Sequence, residues 1–111
     1  MTTIAIDVTT DINTLTGTFA AQQKFELGTT ALTRGVCSLI ATGKLTPLPF
    51  ILRHASGDWG DLCEEDRSSN EAALKQRGRL MSSYKLDDKQ TLWIITEWDR
   101  SVTTLLLPSE Y

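Results

Sequence analysis

The chain has 111 residues, 41% hydrophobic and 23% charged, which argues against wholesale disorder and allows one domain with a modest core. The net charge of −3 and isoelectric point of about 5.0 give no support to a broad nucleic-acid-binding surface. Cys37 and Cys63 form no CxxC pair and the chain has one histidine, so we expect reduced thiols, no metal and no cofactor.

The first 23 residues are predicted to be an N-terminal arm rich in threonine and alanine. Weak alternation at Ile4, Ile6 and Val8 is compatible with an edge strand and equally with a loose arm, and the sequence leaves both open. No basic leader and no long apolar run are found, so we expect a cytoplasmic protein without membrane contact. Residues 24–111 are predicted to form a single α+β domain.

The predicted domain begins with a short strand over 24–28. A helix capped by Thr29 or Thr30 is then expected to continue to Gly43. Its apolar positions recur at helical spacing, at Leu32, Val36, Leu39 and Ile40. Gly35 is unfavourable inside a helix, by about 1 kcal/mol relative to alanine, and so indicates a close packing contact.

A second helix is predicted to begin at Pro47 with Thr46 as its cap, because the missing N–H of proline is harmless at that position. Its inward face consists of Leu48, Ile51, Leu52 and Ala55. The helix is expected to end at Gly57, the first residue of a loop that closes at Gly60.

A third helix is predicted over about 62–77. Asp61 and Glu64 have the spacing of a capping box, and Gly78 is a natural C-cap. Three strands are expected next, over 79–86, 91–98 and 102–107, joined by short polar turns. The fold class is therefore α+β, with helices packed in a second layer on a small antiparallel sheet that ends in a three-stranded meander.

The loop after the second helix carries the first candidate site. His54 and Asp58 are four positions apart, and a carboxylate beside an imidazole fixes its tautomer, as a general base requires. The alternative is that His54, with Arg53, caps the end of its helix. Trp59 is interpreted as a cover over the core, with a stacking platform as the alternative. Four acids there suit a hard cation, although solvated helix-start residues are favoured: Asp58, Asp61, Glu64 and Glu65.

A second cluster lies in the turn between the last two strands. Glu97 and Arg100 flank this turn, and the default interpretation is structural, with an ion pair between them as one arrangement. In the functional interpretation Glu97 is a third candidate catalytic residue, and it converges with Arg79 and Arg100 on the histidine loop. Arginine would there hold a phosphate or carboxylate, and Asn70 and Tyr84 would add binding contacts.

Four stretches resemble a family of small proteins from bacterial plasmids, prophages and integrated elements. They are RHASGDWGDLCEED (53–66), Asn70, RLMSSY (79–84) and WIITEWDRSVTTLLLPSEY (93–111). Members of this family share the patterns RHxSGDWGDxxxED and WIITExDRSxTxxLLPxEY. Cys63 and Trp98 occupy variable positions of these patterns where other residues are expected. Some are labelled plasmid-related proteins and others type I restriction subunits, although this chain is too short for a methyltransferase. The resemblance implies a mobile-element setting and no mechanism.

Three hypotheses follow for the function. The first is a small accessory protein that binds a protein or nucleic-acid partner, in defence or counter-defence. The second is a small nuclease or phosphate-transfer enzyme with His54 as base, Asp58 orienting it, and Arg79 or Arg100 on the phosphate. It requires a partly exposed His54 that shares one concavity with these residues. The third is a self-associating protein, a homodimer through the edge of the meander.

Overall fold

The computed structural model describes residues 3–6 and 22–111. The elements in chain order are β1 (Thr3–Ile6), β2 (Thr29–Thr33), α1 (Arg34–Ala41), α2 (Pro47–Ala55), α3 (Glu64–Gln76), β3 (Leu80–Lys85), β4 (Thr91–Thr96), β5 (Val102–Leu106) and a 3₁₀ turn (Pro108–Glu110). Most of the predicted N-terminal arm, Val8 included, lies outside the described residues. Within that arm, β1 pairs with β2 in antiparallel register.

The five strands form one sheet in the order β1-β2-β5-β4-β3. Strands β3, β4 and β5 make the antiparallel meander expected from the sequence. Strand β2 runs parallel to β5, with Thr29 opposite Val102 and Leu32 opposite Leu105. The α+β class is therefore confirmed, but the sheet is mixed and not wholly antiparallel.

The strand predicted over 24–28 is wrong, and the true strand follows it. Phe25 and Leu27 are buried, which gave the segment its strand-like alternation, but among the described residues it pairs with no strand. Gly28 turns the backbone with φ +65°, and a side chain there would collide with the carbonyl oxygens of Arg100 and Ser101. Beyond this turn the chain joins β5 as β2.

The predicted first helix begins too early, since residues 29–33 form β2 and α1 starts at Arg34. Pairing with β5 outweighs the helical spacing of Leu32. The close contact expected at Gly35 is real. A Cβ there would lie 2.8 Å from both Leu107 Cδ1 and Glu110 Oε2, and the Gly35 N–H donates to the Glu110 carboxylate at 2.8 Å.

The other two helices lie close to their predicted positions. Helix α2 begins at Pro47 as expected and buries Ile51 and Ala55. Helix α3 has no capping box, because the Asp61 side chain accepts a hydrogen bond from the Lys85 N–H instead. The left-handed residue at its end is Arg77, with φ 59°, and not Gly78.

The core lies between the helices and one face of the sheet. Alternate residues of β3 and β4 point towards the helices and are almost fully buried: Leu80, Ser82, Tyr84, Leu92, Ile94 and Thr96. They join Val36, Ile51, Ala55 and Ala73 of the helices in one hydrophobic cluster or lie beside it. The polar members, Ser82 and Thr96, face His54 of α2, so the candidate histidine is part of this core.

Candidate functional site

His54 lies inside the protein, with no exposed surface. Its Nδ1 is 2.6 Å from Ser82 Oγ and its Nε2 is 2.9 Å from Thr96 Oγ1. Phe25 and Trp59 contact the ring edge-to-face, with centroid distances of 5.1 Å and 5.8 Å. Because both ring nitrogens bond to hydroxyls of the sheet, His54 neither caps α2 nor faces Asp58, and both interpretations of this histidine were wrong.

The hydroxyl groups around His54 define its tautomer. Thr103 Oγ1 donates to the carbonyl oxygen of Leu27 at 2.7 Å, so it accepts from Thr96 Oγ1, also 2.7 Å away. Thr96 therefore accepts from His54, which places the ring proton on Nε2. The unprotonated Nδ1 then accepts from Ser82. The result is a buried chain of four hydrogen bonds that crosses three strands and ends at the Leu27 carbonyl.

Burial lowers the pKa of His54 to about 3, and the positive charge of Arg100 acts in the same direction. The imidazole is therefore neutral at physiological pH. A general base must exchange protons with a substrate or with water, and this ring reaches neither. The partly exposed His54 that the enzyme hypothesis requires is absent from this structure.

Asp58 pairs with Arg53 and not with the histidine. Arg53 Nε donates to Asp58 Oδ2 at 2.6 Å, and this hydrogen bond is the main reason that the pKa of Asp58 lies below its usual value. The Gly60 N–H donates to Asp58 Oδ1 at 3.2 Å. Both side chains are about half exposed, at 45% and 49%, so the pair orders the loop and adds little stability.

Trp59 belongs to the core, as the favoured interpretation held. It is 5% exposed, stacks on Phe25 at a centroid distance of 6.1 Å, and donates from Nε1 to Glu71 Oε2 at 2.8 Å. Its backbone carbonyl accepts from the Ser83 N–H, and the Asp61 N–H donates to the Ser83 carbonyl. The segment from Gly57 to Asp61 thus pairs with the outer edge of β3.

Asn70 covers the same edge of β3 two residues away from Ser83, at Met81. Its Nδ2 donates to the Met81 carbonyl at 2.7 Å, and its Oδ1 accepts from the Met81 N–H at 3.1 Å. Asp61 covers the next N–H, that of Lys85. The glycine loop and Asn70 therefore satisfy the β3 edge, which leaves it closed to the strand pairing that was suggested for a homodimer. Self-association itself stays a prediction.

Tyr84 of β3 holds the loop from Gly57 to Asp61 in place. Its hydroxyl donates to the Asp58 carbonyl at 2.6 Å, and the Arg53 guanidinium lies 4.5 Å above its ring. Burial raises the pKa of Tyr84 above its ordinary value, so the phenol stays protonated. The predicted binding role of Tyr84 is replaced by a structural one.

Arg100 makes no ion pair with Glu97, so that arrangement of the turn is wrong. Its guanidinium, on a residue only 7% exposed, donates to main-chain carbonyls instead. The acceptors are the carbonyl oxygens of Ala73, Gly78, Glu97 and Trp98, at 2.6–3.2 Å. The cation thus joins the negative end of α3 to the β4–β5 turn, where Arg100 itself is left-handed with φ 61°.

Glu97 and Arg79 lie on the opposite side of the sheet from the histidine. Arg79 Nε is 3.6 Å from Glu97 Oε1, and its Nη1 donates to the Tyr111 hydroxyl at 2.9 Å. Tyr111 contacts Trp93 edge-to-face at 5.8 Å and is 70% exposed. The predicted meeting of Glu97 and Arg79 with the histidine loop does not occur.

A concavity of about 270 Å³ lies at this place, which we call the aromatic slot; its lining is Arg79, Met81, Trp93, Ile95 and Tyr111. Sequence reasoning named Arg79 alone of these residues as a binding residue. The available signal was the strand WIIT, apolar on both faces, because Trp93 and Ile95 must then point away from the helices. Tyr111 carried no signal, since its contact with Trp93 depends on the 3₁₀ turn that precedes it.

Two further concavities lie near the two turns of the meander, one at each. One, of about 280 Å³, is lined by Phe25, Glu26, Leu74, Arg77 and Arg100. The other, of about 180 Å³, is bordered by the β3–β4 turn and the end of α1. Neither of them, nor the aromatic slot, includes His54 or Asp58 in its lining.

Among the described residues, no group of three or more His, Cys, Asp or Glu is placed to hold a metal ion. Cys37 and Cys63 are free thiols. None of the helices within residues 22–111 is both long and apolar enough to cross a membrane. No family model, curated protein or solved structure matches the chain.

Proposed function

We propose that this protein is a binding module that holds a protein partner through the aromatic slot, and that it works as an accessory protein of a mobile element. The observation that carries the proposal is an exposed tyrosine packed beside a tryptophan over an apolar floor. Aromatic side chains of this kind supply a large contact area at a low entropy cost and are enriched in binding hot spots.

The chemistry of the slot favours a protein over a nucleic acid. Met81, Trp93 and Ile95 provide an apolar floor, which suits an apolar side chain inserted from a partner. Arg79 stands at the rim with 47% of its side chain exposed, where it can donate to a carbonyl or carboxylate of the partner. One arginine already shared with Glu97, on a chain of net charge −3, is poorly suited to a phosphate backbone.

The mobile-element setting is supported by the resemblance of the motifs, and defence or counter-defence is the role we propose within it. The structure adds a physical account of those motifs. The stretch from Arg53 to Asp61, together with Asn70, builds a loop that closes the sheet edge. These residues support the scaffold, and the binding surface lies elsewhere.

The proposal is tested by cross-linking the purified protein to partners in a lysate of a bacterium that carries the element, followed by mass spectrometry. Tyr111→Ala should remove the specific partner while leaving the melting temperature nearly unchanged, because the side chain is 70% exposed. Trp98→Ala is the matched control, because Trp98 is also a large exposed aromatic, at 63%, and does not line the slot.

Equal capture by the wild type and Tyr111→Ala would contradict the proposal. So would loss of the partner with Trp98→Ala alone. Binding of a labelled single-stranded DNA or RNA that Tyr111→Ala abolishes would instead assign the slot to nucleic acid.

A further inference from the structure

A second concavity, which we call the arginine pocket, lies beside the C-terminal end of α3. Its volume is about 280 Å³, and its walls are Phe25, Glu26, Leu74, Arg77 and Arg100. It is separate from the aromatic slot, with which it shares no lining residue. A ligand in this pocket would therefore not occupy the aromatic slot.

The buried cation of this pocket has no carboxylate partner among the described residues. Arg100 is 7% exposed, and its hydrogen bonds to described residues all end on main-chain carbonyls. Carbonyl dipoles stabilise a guanidinium but do not cancel its charge. The positive potential extends to His54, whose pKa Arg100 helps to lower.

The described acceptors of the guanidinium are shared unequally among its three nitrogens. Nη1 of Arg100 donates to three carbonyl oxygens, those of Gly78, Glu97 and Trp98. Nη2 donates to the carbonyl oxygen of Ala73. Within residues 22–111 no acceptor is bonded to Nε. Nε and Nη2 share the edge with which arginine binds a planar carboxylate through two parallel hydrogen bonds.

A second arginine adds to this charge. Arg77, exposed at the end of α3, adopts a left-handed conformation that side-chain-bearing residues rarely take. Its charge acts together with burial to lower the pKa of Arg100, as expected of two cations that face the same space. Among the lining residues Glu26 supplies one opposing charge against two arginines, and the Asp99 carboxylate, outside the lining, also interacts with Arg77.

The remaining walls are apolar. Phe25 stacks on Trp59, and Arg100 lies 5.8 Å from its ring centroid, so the ring stands beside the guanidinium at the pocket. Leu74 completes this apolar part. The volume exceeds the roughly 30 Å³ of a water molecule many times, which leaves room for more than an anionic head group.

We propose that the arginine pocket binds a small organic acid, whose carboxylate lies between Arg77 and Arg100 and whose apolar part packs on Phe25 and Leu74. Benzoate is a suitable probe because it joins a carboxylate directly to an aromatic ring. Acetate has the same head group without the ring, and inorganic phosphate has the charge without an apolar part.

The test is a titration of the full chain with each probe at about 0.15 M ionic strength, followed by amide chemical shifts and calorimetry. Benzoate should bind at least severalfold more tightly than acetate or phosphate. Arg77→Gly should weaken benzoate binding about tenfold through loss of a charge-assisted hydrogen bond. Glu26→Gln should strengthen it, since it removes the opposing carboxylate.

The control variant is Lys75→Gln, which removes the same charge from the last turn of α3 outside the pocket. Its benzoate affinity should stay within about twofold of the wild type, as non-local electrostatics are screened. Arg77→Gly should keep its melting temperature, because glycine adopts the left-handed conformation freely. Arg77→Asn, which also tolerates that conformation, separates binding from folding if the glycine variant proves unstable.

Three results would overturn the proposal. They are an unchanged benzoate affinity in Arg77→Gly, an equal loss in Lys75→Gln, and phosphate binding at least as tight as that of benzoate. The first two would show that Arg77 is not a ligand-binding residue, and the third that the apolar walls make no contribution.

Discussion

The buried imidazole of His54 links α2 to the sheet through both of its ring nitrogens. The His54 ring lies between two hydroxyls, from Ser82 and Thr96, that are 28 and 42 positions away in sequence. Nothing within the RHASGDWGD stretch reveals these partners, because the sheet brings them in from outside it. The sequence therefore identified the residue but assigned it the wrong role.

The neutral state of His54 should make the protein sensitive to mild acid. In the unfolded chain a histidine takes up a proton near pH 6.5, whereas folded His54 resists protonation down to about pH 3. Unfolding therefore binds a proton within this range, and stability falls as the pH is lowered. The free energy of unfolding should decrease by about 2 kcal/mol between pH 7 and pH 5. Urea denaturation at the two pH values measures this change.

The matched variant is His54→Gln, in a chain that has no other histidine. It should be less stable at pH 7 by about 2–3 kcal/mol, because buried hydroxyls lose their partner. Its stability should change little between pH 7 and pH 5, since carboxylates titrate mainly below that range. A wild-type protein with equal stability at both pH values would contradict the buried neutral ring.

At the scale of elements, the loop from Gly57 to Asp61 packs closely on β3 because one of its residues is a glycine without a side chain. Gly60 has φ +74°, and a Cβ there would collide with the Ser83 carbonyl oxygen and lie 2.7 Å from the Tyr84 ring. Gly43 has the same φ of +74° but nothing within 4 Å of its Cβ position. The two glycines share one backbone conformation and differ in their surroundings.

This pair separates backbone strain from close packing. Gly43→Ala should lower the free energy of unfolding by about 1 kcal/mol, the effect of the left-handed conformation alone. Gly60→Ala should lower it by at least about 2 kcal/mol more, because the loop must move off the strand or the tyrosine must shift. Chemical denaturation of both variants measures the difference. Equal losses would mean that the loop does not pack tightly on β3.

Elements with local signals were predicted well, and those that depend on distant pairing were not. Proline at position 47 and the alternation of β3 are visible in short windows, so α2 and the meander were found. Strand β2 was missed because its partner β5 begins at Val102, more than 70 positions later. Of the residues that line the aromatic slot, only Arg79 was identified from the sequence. Tyr111 was missed because its contact with Trp93 depends on a turn outside the meander.

Across the whole molecule, packing is uneven between the two layers. Strand β4 lies between two neighbours, and its residues Leu92, Ile94 and Thr96 have no exposed surface. Helix α3 spans Glu64–Gln76 but buries only Asn70 and Ala73. A helix held by so few buried side chains depends on the contacts at its ends. Among them are the hydrogen bonds from Arg100 to the carbonyl oxygens of Ala73 and Gly78, which we call the Arg100 clamp.

Native-state hydrogen exchange should therefore show different opening free energies for α3 and for the central strand β4. Amides in the second half of α3 should exchange through local opening, with free energies at least about 1 kcal/mol below those of Ile94 and Thr96. Arg100→Lys should widen this gap, because an ammonium cannot reach the carbonyls at both ends of the clamp. Exchange of α3 only upon global unfolding would show that the helix and sheet open as one unit.

The closed edge of β3 also limits how copies of the chain can aggregate. Growth of a fibril by strand addition needs two available sides on every copy, one to receive a neighbour and one to offer the next. With the side beyond β3 already occupied by the protein's own loop and Asn70, at most the β1 side is left. Two copies joined through their β1 edges would leave no further strand edge for a third copy, so association would stop at a dimer.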